Sequence, residues 1–127
     1  MSNESLSGPR HGSINYLEFP SRDPALTKAF FSQVFGWTFV DYGPDYCAFK
    51  EPHTGSVEGG FYRADACSDA DAGAVLIVFY SRDLAATQQA VEQAGGSVSR
   101  PVFEFPGGRR FHFKEPCGNE FAVWSDQ

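Results

Sequence analysis

SRDPALTKAFFSQVFG (residues 21–36) and SRDLAATQQAVEQAGG (residues 81–96) begin alike: Ser21, Arg22, Asp23, Ala25 and Thr27 match Ser81, Arg82, Asp83, Ala85 and Thr87 at an offset of 60. A second repeat stands further on, where Phe49-Lys50-Glu51-Pro52 returns as Phe-Lys-Glu-Pro from Phe113 at an offset of 64. A small length difference in the intervening loops reconciles the offsets, so the chain reads as an internal duplication.

Each half carries the same order of elements. Strands are expected at SINYLEF (13–19) and VLIVFYS (75–81), both rich in β-branched and aromatic residues. A helix follows each, with Asp23 and Asp83 as N-caps, Pro24 where a missing N–H is harmless, and Gly36 and Gly95 closing the ends. Leu26, Phe30 and Val34 mark the apolar stripe of one helix, and Leu84, Val91 and Ala94 that of the other. Three strands then complete each unit: WTFVDY, YCAFKE and SVEGGFYR in the first, SVSRPVFEF, RRFHFKE and NEFAVWS in the second, with Gly107-Gly108 as a hairpin turn. Each Phe-Lys-Glu-Pro ends a third strand and enters a turn through Gly55 or Gly118.

The fold class is therefore α+β, two tandem βαβββ modules within a single domain of residues 1–127. The first module covers 13–63 and the second 75–125. An Ala/Asp linker, 64–74, lies between, and 1–12 is expected to be a flexible tail.

Composition narrows function. A net charge of −6 disfavours nucleic acid and anionic membranes as partners. No run approaches a membrane span, and the polar start lacks the apolar stretch of a secretory signal, which points to a cytoplasmic protein. Cys47, Cys67 and Cys117 show no paired spacing, so reduced thiols are expected. Aromatic residues reach 16%, enough to fill a core or to line an apolar cavity.

EFPSRDPALTKAFFSQVFGW, GGFY, AVEQAGGSV and FKEPCGNEFAVW together resemble the vicinal oxygen chelate superfamily, the glyoxalase, bleomycin-resistance and extradiol dioxygenase fold, over most of residues 14 to 125. The resemblance implies a cupped mixed sheet with the helices on its outer face. It also implies a small-molecule ligand in the cup, a homodimer, and often a divalent metal held by side chains from the first and last strand of each module. The matching positions here are Tyr16, Leu76 and Ala122, with Gly59 or Glu58 as the fourth according to how the two halves are aligned. Even the second alignment leaves one carboxylate, too few donors for a catalytic ion. No metal ligand and no cofactor are therefore expected, and the chain reads as a branch lacking the usual ligands.

Strand parity places Ile14, Tyr16, Glu18, Leu76, Val78, Tyr80, Glu120, Ala122 and Trp124 toward the cup, and Leu17, Phe19, Ile77, Phe79, Phe121 and Val123 under the helices. Tyr16, Glu18, Leu76, Val78, Tyr80, Glu120 and Trp124 are thus candidate ligand-binding residues. Glu18 interrupts an apolar strand and is a candidate general base, with a raised pKa if desolvated; the alternative is a solvated residue or a partner of Arg22. His112 is a candidate acid/base partner if it faces inward, or else a structural strand histidine. Three functions stay open: a protein binding a small aromatic or apolar molecule in a metal-free cup; a lyase or isomerase of the glyoxalase type, either dependent on a divalent metal through atypical ligands or metal-free with Glu18 and His112 as the acid–base pair; and an interaction module with a filled cup.

Overall fold

The computed structural model describes residues 8–53 and 55–127. The expected tail over 1–12 falls largely on residues 1–7, outside the described residues.

Strand β1 (Tyr16–Ser21) leads into helix α1 (Pro24–Phe35), followed by β2 (Thr38–Asp41), β3 (Tyr46–Lys50) and β4 (Glu58–Arg63). The second module repeats this as β5 (Ile77–Tyr80), α2 (Leu84–Gln93), β6 (Ser97–Phe105), β7 (Gly108–Lys114) and β8 (Glu120–Ser125). Two four-stranded sheets result, ordered β1-β4-β3-β2 and β5-β8-β7-β6. β1 pairs parallel with β4 and β5 with β8, while the other neighbours are antiparallel, which makes an α+β fold of two mixed sheets.

The caps act as their residue types require. Asp23 accepts from the Leu26 N–H and Asp83 from the Ala86 N–H, while Gly36 takes the left-handed conformation (φ 72°) that stops α1. The stripe of α1 differs from the expected one. Thr27, Phe30 and Phe31 are buried, whereas Leu26 is 47% exposed. Phe30 and Val34 keep their expected places, and Leu26 alone gives way to Thr27, which has a polar partner beneath the helix, described below. The hairpin between β6 and β7 turns over Pro106 and Gly107, so Gly108 opens β7 rather than sharing the turn.

One core serves both modules. Phe31 of α1 stacks on Trp37 and Phe61 and meets Phe79 and Phe121 of the other sheet. Phe30 and Phe35 reach Phe113. Phe19, Phe121 and Val123 are buried, and Leu17, Ile77 and Phe79 pack against them, so this side of both sheets lies under the helices as strand parity required.

The repeated Ser-Arg-Asp…Thr pattern has a polar explanation. The Asp23 N–H donates to Ser21 Oγ, and Ser21 Oγ lies 2.8 Å from Thr27 Oγ1. The Asp83 N–H, Ser81 and Thr87 repeat this arrangement. Only in the first module does it continue, with Thr27 Oγ1 donating to Glu115 Oε1 at 3.0 Å. Glu115 belongs to the second Phe-Lys-Glu-Pro and is 2% exposed; its carboxylate also accepts from the N–H groups of Cys117 and Asn119. Asn119 Nδ2 donates to the Pro20 carbonyl, so this turn locks the second module onto the start of α1. Burial raises the Glu115 pKa, and the N–H and O–H donors partly oppose that shift.

Candidate functional site

The strand faces turned away from the helices carry the candidate residues. On the first sheet Tyr16 lies opposite Glu58 and Glu18 opposite Gly60 in the parallel register. Glu58 therefore shares the face of Tyr16, and its carboxylate sits 3.7 Å from Lys50 Nζ.

Glu18 is exposed rather than desolvated. It is not paired with Arg22, whose Nε donates to Asp65 at 2.9 Å. Its partner is Tyr46, a residue that sequence reasoning did not single out. The Tyr46 hydroxyl donates to Glu18 Oε2 at 2.8 Å and lies 2.7 Å from the Tyr16 hydroxyl, which must then donate to it. Burial, followed by the contacts with Tyr16 and Glu18, pushes the Tyr46 pKa up, so the phenol stays protonated. The network depends on glycine at position 60, because a Cβ there would meet the end of the Tyr46 ring. The two tyrosines and the glycine stand on different strands, and no spacing rule connects them.

On the second sheet Tyr80 and Trp124 are neighbours in the register and their rings meet edge-on at 5.1 Å. The Tyr80 hydroxyl also donates to Asp126. Val78 is exposed and pairs with Ala122, which is buried. Leu76 is half-buried and lies just before β5.

Glu120 and His112 are buried on this face. Glu120 accepts from the Ala70 N–H and from Ser99 Oγ, both at 3.1 Å. Ala70 belongs to a single 3-10 turn (Ala70–Ala72), so the linker closes over the end of β8. His112 Nδ1 lies 3.6 Å from Glu120 Oε2, while His112 Nε2 is buried with no hydrogen-bond partner. Burial and the nearby Arg110 lower the His112 pKa against the opposing pull of Glu120, which favours neutral imidazole. Glu18 and His112 lie in different sheets, and among the described residues no hydrogen bond or ion pair joins them.

The donor set does not suit a divalent ion. The positions matching the family's ligands are a phenol, one lysine-paired carboxylate and the side chains of Leu76 and Ala122. Among the described residues no three His, Cys, Asp or Glu side chains form a group able to hold a metal. A cleft of about 870 Å³ lies between the segment around Ile14 and the turn around His53, and its lining includes Lys50 and Glu58, the residue opposite Tyr16.

This fold, with its paired βαβββ modules and polar groups set among aromatics on the open strand faces, defines a glyoxalase-like protein. The Glyoxalase/Bleomycin resistance protein/Dioxygenase superfamily model matches residues 13–123, and the chain belongs to that family. A glyoxalase-related enzyme from Fulvimarina pelagi superposes with a TM-score of 0.73 at 15% identity, covering 90% of this chain and 88% of the other. A glyoxalase/bleomycin resistance protein/dioxygenase family enzyme from Burkholderia phytofirmans PsJN gives 0.72 at 18% identity, with coverages of 91% and 100%. Lactoylglutathione lyase from Agrobacterium tumefaciens gives 0.65 at 21%, with 92% and 96%. At these identities the likeness is one of fold. No curated protein matches the sequence. No helix among the described residues is long and apolar enough to cross a membrane.

Proposed function

We propose that the protein binds a small aromatic or apolar molecule, without a metal, on the strand faces turned away from the helices. The supporting observation is that Tyr16, Tyr62, Val78 and Tyr80 are 40 to 47% exposed on strands whose opposite sides are buried, with a fixed Tyr46–Glu18 pair among them. Half-open aromatic walls with a few oriented polar groups are what such a ligand needs. Tyr16, Leu76, Val78, Tyr80 and Trp124 supply the walls and Glu18 the polar anchor, while Glu120 on the same face is held by Ala70 and Ser99.

A fragment screen read by tryptophan fluorescence tests this reading. Trp37 is buried, so a ligand on the open face reports through Trp124. Failure of every aromatic fragment to change that emission would sink it. Melts with Mn, Fe, Co, Ni and Zn ions should leave Tm unmoved; stabilisation that grows with ion concentration would overturn the metal-free part, because an ion bound to the native state must raise stability by linkage.

A second reading, a metal-independent lyase or isomerase, is favoured by the neutral His112 beside Glu120, with Glu18 as the opposite acid/base group. Turnover of a glyoxalase-type substrate that His112→Gln and Glu18→Gln each abolish would support it. Homodimerisation and a cytoplasmic location complete the proposal. The outermost strands of the two sheets, β1 and β2 in one and β5 and β6 in the other, offer sheet edges for pairing, and sedimentation equilibrium measures the assembly.

A further inference from the structure

We propose that the face of β6 and β7 around Arg100 and Arg110 is a recognition site for a small aromatic carboxylate, with its anionic group on the two guanidiniums and its ring against Trp124. The proposal rests on reading this strand face as a small-molecule surface and adds the chemical class of the ligand.

The site is made by an irregularity in an edge strand. The β6–β7 register shifts between Val98 and Arg100 and again between Arg100 and Phe103, around Pro101, which has no N–H to give the ladder. Arg100 then pairs with His112 and Phe103 with Arg110, so residues three apart on β6 are brought to the same face. In a regular strand they would point to opposite sides. The Arg100 guanidinium lies 3.8 Å over the Phe103 ring, and that of Arg110 is 5.2 Å from the same ring and 5.7 Å from Phe105. Stacking holds the planes and leaves the N–H edges available for a carboxylate.

Three observations point to an anion. Arg22 and Arg63 and the lysines at 28, 50 and 114 each have a side-chain carboxylate within ion-pair distance, whereas among the described residues Arg100 and Arg110, like Arg82 and Arg109, have none, and Arg100 and Arg110 converge on one ring, that of Phe103. Buried polar atoms are nearly always partnered, yet Arg110 Nε and His112 Nε2 are not. Of these two atoms Arg110 Nε is a donor, and an unanswered buried donor is what an anion would satisfy. Glu120 is opposite Lys114 in the register, on the other side of His112 from Arg110, and is already engaged by Ala70 and Ser99. Trp124 is opposite Arg110, which sets an aromatic surface beside the charge.

The test is a fluorescence titration of the full chain with benzoate and with benzamide, its uncharged counterpart. Benzoate should bind at least about tenfold more tightly. Arg100→Gln and Arg110→Gln should each weaken benzoate by about tenfold or more, the usual value of a charge-assisted hydrogen bond, and leave benzamide unchanged. Arg100 is exposed on an edge strand, so its variant carries the test if Arg110→Gln fails to fold. Equal binding of both probes, indifferent to the arginines, overturns the anion site and leaves the small-molecule reading standing. Silence with both probes overturns the proposal and leaves the broader reading to the fragment screen.

Discussion

Glu115 shows how one side chain gives a repeated motif two different values. Its carboxylate answers three donors inside the protein, whereas Glu51, the same residue of the first copy, is half-exposed. Glu115→Gln would set an amide N–H₂ against one of those donors. It should therefore lose about 1–3 kcal/mol in urea denaturation, the cost of a buried donor left unsatisfied. Thr27→Val should cost more than Thr87→Val, because only Thr27 has an acid to donate to. His112 sets a pH dependence of known sign. Its folded pKa lies below the usual 6.5, so at acid pH the unfolded chain binds the extra proton. The stability it contributes is complete above about pH 6.5 and is lost as pH falls toward the folded value. Urea midpoints at pH 7.5 and 5.5 should show that loss, and His112→Gln should flatten it.

At the level of elements, β4 joins the two sides of the first sheet through Gly59 and Gly60. A Cβ on Gly59 would run into the Leu17 carbonyl and the Phe49 ring, which are fixed backbone and core. Gly59→Ala should cost at least the roughly 1–3 kcal/mol of an overpacked site, read as a fall in Tm. A Cβ on Gly60 meets only the end of Tyr46, so Gly60→Ala should keep most of the stability while moving the phenol off Glu18. Loss of fragment binding at the first sheet, with Tm little changed, is the expected result. The strands themselves were legible from β-branched and aromatic runs, and the helix starts from Asp23 and Asp83. Of the expected α1 stripe Phe30 and Val34 hold and Leu26 does not, because hydropathy counts Leu26 as core and cannot see that Thr27 has an acid waiting beneath it.

Across the whole molecule the two modules share aromatic packing rather than forming separate cores. Phe31 touches both sheets, so Phe31→Ala should cost about 3–5 kcal/mol and lower a single cooperative transition rather than split it in two. Two separate transitions by near-UV and far-UV circular dichroism would show that the modules fold independently. The Asn119 bond to Pro20 and the Thr27–Glu115 bond tie the same halves together by polar contacts. That coupling leaves the far sides of both sheets free of core duty, which is where Tyr16, Tyr80 and Trp124 stand.

The sequence by itself determined the duplication, the order of elements, the α+β class and the sides of β1, β5 and β8, because local periodicity and capping are written in neighbouring residues. Tertiary structure alone decided the polar groups. Tyr46 meets Glu18 only because β3 lies beside a glycine of β4, and Arg100 joins Phe103 only because Pro101 breaks the ladder of an edge strand. Such contacts join residues far apart in the chain or overturn strand parity, and neither condition leaves a local signature.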